Sequence, residues 1–173
     1  MKVFLLQRKR LTALACALAA AAMFYVVNYP AAVSAYATDR QLPIYCVQRD
    51  QKMLSISFDA AWGNEDTQQL IDILGKYNVK ATFFVVGSWV DKYPESVKAL
   101  HDAGHEVMNH SNDHAHMSQL SKEEIIADVE ACNDKIEAVT GVRPTLIRPP
   151  YGEYDNNVIT AIRSIGMEPI QWD

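Results

Sequence analysis

The chain lacks the features that would assign it to several common classes. Its 173 residues hold only three cysteines, Cys16, Cys46 and Cys132. No C-x-x-C pair occurs, so neither a zinc ribbon nor a disulfide scaffold is encoded. Cys46 and Cys132 could pair outside the cell, but sequence alone does not place them within bridging distance, and free or buried thiols are the expectation. No internal repeat or low-complexity block is present, which excludes solenoids and disordered tails. Basic charge is also scarce. The net charge is −5, and Lys2, Arg8, Lys9 and Arg10 are the only charges before Asp39. Taking those four positive charges away from −5 leaves −9 for the remainder. Phosphate binding needs a basic patch, so nucleic acid is excluded as a partner.

What is present begins with a targeting pattern. A basic stretch precedes an uncharged run from Leu11 to Val27, and a small-residue stretch ends Ala35-Tyr36-Ala37. Positive, apolar and A-x-A-like regions in that order read as a secretory signal or as a retained N-terminal anchor. Either form places residues 1–37 at the membrane and the rest of the chain outside the cytoplasm. Residues 38–52 read as a linker or an edge extension, and residues 53–173 as the folded domain.

From Met53 onward short apolar runs alternate with longer amphipathic ones. Strands are predicted at 54–58, 81–86, 105–109, 145–148 and 167–172. Helices are predicted at 65–77, 94–103, from the Ser121–Glu124 capping box to Gly141, and at 155–165. Strand–helix alternation at this spacing implies a parallel α/β sheet, either doubly wound or closing toward a (β/α) barrel. In both, functional side chains gather at the C-terminal ends of strands.

Those ends carry Asp59, then His110 and His114, then Arg148. Taken alone, Asp59 could be a loop carboxylate, the histidines solvent-facing, and Arg148 with its two prolines a rigid turn. Together they place a carboxylate, two imidazoles and a guanidinium on one rim. Neutral imidazole suits zinc and its neighbours. His116 lies nearby as a bystander.

Phe58-Asp59, His110-Ser111-x-x-His114 and Arg148-Pro149-Pro150-Tyr151-Gly152 resemble the first three motifs of the NodB-type polysaccharide deacetylases, carbohydrate esterase family 4. Ala81 to Val85 and Gly104-His105-Glu106 resemble its strands. The resemblance runs from about Met53 to Asp173. It implies a distorted (β/α) barrel, of which about five units are present. It also implies removal of N-acetyl groups from a polysaccharide such as peptidoglycan or chitin, using a divalent metal, most often zinc. Asp59 would be the general base, His110 and His114 metal ligands, and Arg148 the partner of Asp59. The Tyr151 N–H would help hold the oxyanion. Trp62, Pro149 and Pro150 would line the substrate surface.

Two departures stand out. The family pattern has a second aspartate, a metal ligand, where this chain has Ala60; Asp59, Glu65, Asp66 and Asp113 are the available carboxylates. The Asp-Ala-Ala-Trp-Gly version resembles a sporulation-associated branch. In addition, Trp172-Asp173 resembles the opening of a fourth motif, and a fifth motif with the acid histidine is expected beyond it. Ala60 motivates one alternative, a member that binds glycan without hydrolysing it. An O-acetyl esterase on the same scaffold is another.

Overall fold

The computed structural model describes residues 2–28 and 40–172. It divides into two units, residues 1–40 and 41–173. In the first, helix α1 spans Lys2–Asn28. Leu11, Leu14, Leu18, Met23 and Phe24 are exposed along it. From Leu11 to Tyr25 every residue but Thr12 is apolar and all are exposed, which is not the two-faced pattern of a surface helix. Among the described residues no helix is long and apolar enough to cross a membrane. The Ala35-Tyr36-Ala37 site lies outside the described residues.

The second unit is built on five short parallel strands: β1 Ser57–Ala60, β2 Thr82–Val85, β3 Glu106–Asn109, β4 Leu146–Ile147 and β5 Glu168–Pro169. Their spatial order is their chain order. A doubly wound sheet must reverse that order at a switch point. Here every crossover steps the same way, as in an arc of a (β/α) barrel, so the barrel alternative is the one realised.

The connections supply α2 Thr67–Lys76, α3 Gly87–Lys92, α4 Pro94–Asp102, α5 Lys122–Thr140 and α6 Asn156–Ser164. The predicted capping box is formed: the Ser121 N–H donates to Glu124 Oε2 at 2.8 Å, and the Glu124 N–H to Ser121 Oγ at 3.3 Å. Gly141 ends α5 with φ 75°. Ile125, Val129, Cys132 and Ile136 recur every three or four residues of α5 and are buried, which is the stripe a core-facing helix needs. This one helix serves two cores. Cys132 and Ile136 join Phe83, Val85, Val90, Val97 and Leu100. Ile125 and Val129 join Ile147, Val158, Ile162 and Met167.

Three expectations shift. The first strand is displaced toward 57–60, because Leu54 is 82% exposed and strand pairing with β2 begins at Ser57. The fourth and fifth strands shrink to two residues each. Finally, within the stretch read as linker, Ile44 makes a parallel bridge to Ile170. The Ile44 N–H donates to the Pro169 carbonyl and the Gln171 N–H to that of Ile44, both at 2.8 Å.

Candidate active site at the strand ends

Phe58 and Ala60 pack with the helices around the first core. Strand alternation therefore turns Asp59, between them, toward the other face. There it meets Arg148, which leaves β4 and is 4% exposed. Arg148 Nη1 donates to Asp59 Oδ1 at 2.6 Å, and Nη2 to Ser57 Oγ at 2.8 Å. The guanidinium lies 4.2 Å from the Phe84 ring centre. Stacking and a charge-assisted bond together fix its plane, which a lysine could not reproduce.

His110 follows β3 and is 3% exposed. Its Nδ1 lies 2.6 Å from the Arg148 carbonyl. A carbonyl only accepts, so Nδ1 carries the proton and Nε2 keeps its lone pair. Nε2 stands 4.0 Å from Asp59 Oδ2. Burial, chiefly, pushes the His110 pKa down, against the opposing pull of Asp59. Burial is also the main cause that lowers the pKa of His114. The two rings lie 5.0 Å apart, centre to centre. His114 Nδ1 is buried without a hydrogen-bond partner. A neutral imidazole with one nitrogen locked and another with an unused buried nitrogen are what a divalent ion of the zinc type requires. These two residues fit such an ion. Ala60, with only a methyl packed against the core, supplies no third ligand. Among the described residues no group of three or more His, Cys, Asp or Glu converges as a metal centre would need. Glu65 and Asp66 instead line a cavity of about 200 Å³ with Asp59, Trp62 and Leu70. Asp113 is exposed.

Tyr151 sits at φ 59°, a left-handed conformation that costs a non-glycine residue about 1–2 kcal/mol. Its ring stacks on His116 at 4.1 Å and meets His114 edge-on at 4.6 Å. His116 is thus no bystander. Its Nδ1 lies 2.9 Å from Glu153 Oε2, which holds the stack. Pro149 and Pro150 are buried, so they shape the turn, while the surface open to a ligand belongs to Trp62, 85% exposed, and Tyr151.

Sequence reasoning missed the supports beneath this rim. Asn109 is fully buried. Its amide donates to Val129 O at 2.9 Å and Asn133 Oδ1 at 2.8 Å, while its Oδ1 accepts the Ser111 N–H at 2.7 Å. A polar residue ending a strand opposite another in a helix stripe is the faint signal available.

Residues 47–170 match the family model for polysaccharide deacetylase. The chain is 38% identical over 127 residues to the peptidoglycan-N-acetylmuramic acid deacetylase PdaC of Bacillus subtilis, covering 73% of this chain and 27% of that protein. It is 35% identical to chitin deacetylase 1 of Cryptococcus neoformans, covering 71% and 26%. A solved structure of a carbohydrate esterase family 4 pseudoenzyme from Bacillus anthracis superposes with TM-score 0.73 at 37% identity, over 76% of this chain and 47% of that one. A mutant of that pseudoenzyme is described as having restored activity. The chain thus spans about a quarter of those two curated relatives and about half of that structure. By fold, motif order and family match, the chain belongs to the polysaccharide deacetylase family.

Proposed function

We propose that the protein hydrolyses N-acetyl groups of a cell-wall or related polysaccharide, peptidoglycan or chitin-like. The observation that supports this best is the Arg148–Asp59 pair set beside two neutral imidazoles on one rim. His110 and His114 would hold the divalent ion, zinc by donor chemistry, which when bound polarises an amide carbonyl and acidifies water. Arg148 fixes Oδ1 of Asp59 and so orients the carboxylate. Oδ2, on the His110 side, then accepts the proton of the attacking water. The Tyr151 peptide, turned by its positive φ, offers an N–H to the oxyanion that develops. Trp62 and Tyr151 supply flat apolar faces on which sugar rings stack. Export through residues 1–37, with the membrane as partner, is proposed on the order of basic, apolar and small residues.

Ala60 favours a second reading, glycan binding without turnover. One experiment separates the two. Acetate release from N-acetylglucosamine oligomers is measured for the parent, Asp59→Asn and Ala60→Asp, beside zinc content and oligomer binding. Chelator-sensitive release by the parent, lost in Asp59→Asn, supports hydrolysis. Binding by all three with release only in Ala60→Asp supports the binding module. Release only from an O-acetylated glycan would replace both with an esterase.

A further inference from the structure

The turn His110-Ser111-Asn112-Asp113-His114 carries both imidazoles, and its backbone is costly. Ser111 has φ 69° and His114 φ 53°. Neither is glycine, so the surroundings must impose these conformations. Four N–H groups and two carbonyls of the turn are tied down. The His110 N–H donates to Val85 O at 2.9 Å. The carbonyls of Ser111 and Asn112 accept from the N–H groups of Gly87 at 2.9 Å and Ser88 at 3.0 Å. The Ser111 N–H is taken by Asn109. The next two N–H groups go to one carboxylate on α5: Asn112 to Asp128 Oδ2 at 2.9 Å and Asp113 to Oδ1 at 3.3 Å.

We infer that Asp128 is a positioning residue for the imidazole pair, using both carboxylate oxygens to hold two successive amides and so fix the His110–His114 separation. The inference rests on the reading of these histidines as metal ligands. Asp128 acts on the histidines through the turn. Its neighbours Ile125 and Val129 bury α5 in the second core, so the helix stays docked whatever stands at 128. An asparagine there keeps one acceptor and turns an NH₂ toward the other amide; an alanine keeps neither.

The test uses the full chain titrated with Co²⁺, whose visible absorption reports coordination geometry. Asp128→Ala is expected to weaken binding about 10- to 100-fold, the usual effect of losing a residue that orients ligands, and to alter the spectrum. Asp128→Asn should fall between, and it stands in should the alanine variant fail to fold. In the metal-free chain, the amides of Asn112 and Asp113 should exchange with solvent faster in both variants, with Ile136 unchanged. An unchanged Co²⁺ affinity and spectrum in a folded variant would overturn the proposal. Should the parent itself bind no Co²⁺, the metal reading fails separately. Asp128 is then judged by the proton–proton contact between the His110 and His114 rings in metal-free protein. Its loss in the variants supports positioning, and its persistence refutes it.

Discussion

Arg148 combines two functions that a simpler residue would separate. Its side chain neutralises Asp59 and bridges to Ser57, while its carbonyl sets the tautomer of His110. Deleting one partner of a fully buried ion pair costs about 3–5 kcal/mol. Asp59 keeps contact with water, with a side chain 35% exposed, so Arg148→Met is expected to cost about 2 kcal/mol, near the lower end of what charged hydrogen bonds contribute. Urea unfolding should show a lower midpoint at unchanged slope, and a midpoint equal to the parent's would refute the estimate. A second residue-scale effect is pH-dependent. His105 is buried, and its Nδ1 accepts the Ala81 N–H at 3.2 Å. That bond requires an unprotonated nitrogen. Burial first, and then the Lys80 charge, lower its pKa. With the folded value depressed, the unfolded chain binds the proton more readily. The stability His105 contributes is therefore present above the unfolded pKa of about 6.5 and is lost as pH falls from there through the folded value. His110 and His114 shift the same way, so His105→Gln should flatten, without abolishing, the decline measured by urea midpoints between pH 7.5 and 5.

Two glycines in helices have opposite expected responses. A Cβ on Gly75, in α2, would meet nothing within 4 Å, whereas one on Gly87, in α3, would lie 2.4 Å from Asn112 Oδ1 and 3.0 Å from its Cα. Gly75→Ala should stabilise by about 0.5–1 kcal/mol through helix propensity alone. Gly87→Ala should destabilise by about 1–3 kcal/mol, because overpacking outweighs propensity where backbone stands in the way. Thermal melts of the two variants should move in opposite directions. This contrast marks what sequence could and could not reveal. The α5 stripe, its capping box and Gly141 were legible because they are local and periodic. So was the rim, since Asp59, His110 and Arg148 each follow an apolar run. The short helix α3 was not legible: no side chain caps it, and its role lies in contacts with a turn some 25 residues on. Asp128 looks, by spacing, like any solvated carboxylate of α5. The left-handed φ of Ser111 and Tyr151 has no sequence signal either, because packing imposes it.

At the scale of the folded unit, a sheet in simple chain order leaves β1 and β5 at its margins, and unpaired margins invite association. On the β5 side the chain supplies its own cover. Besides the Ile44 bonds, Arg163 donates from Nη1 to Gln41 Oε1 at 3.0 Å and from Nη2 to the Leu42 carbonyl at 3.1 Å, and the Gln41 N–H reaches Asn156 Oδ1 at 2.8 Å. The consequence extends inward. The Gln171 N–H that Ile44 holds precedes Trp172, whose ring lies 5.7 Å from the Arg148 guanidinium. Ile44→Pro deletes the N–H given to Pro169 and is expected to cost about 1–3 kcal/mol, one hydrogen bond plus local distortion. It should also speed amide exchange at Gln171 and raise light scattering, as the β5 margin opens to other copies. Ile44→Ala keeps the backbone bonds and should leave both readings near the parent's. If the proline variant matched the parent in stability and exchange, residues 41–45 would be a tether lying against the sheet. A loss confined to the proline variant would make them a sixth member of the sheet, closing from the N-terminal side a margin some 125 residues away along the chain.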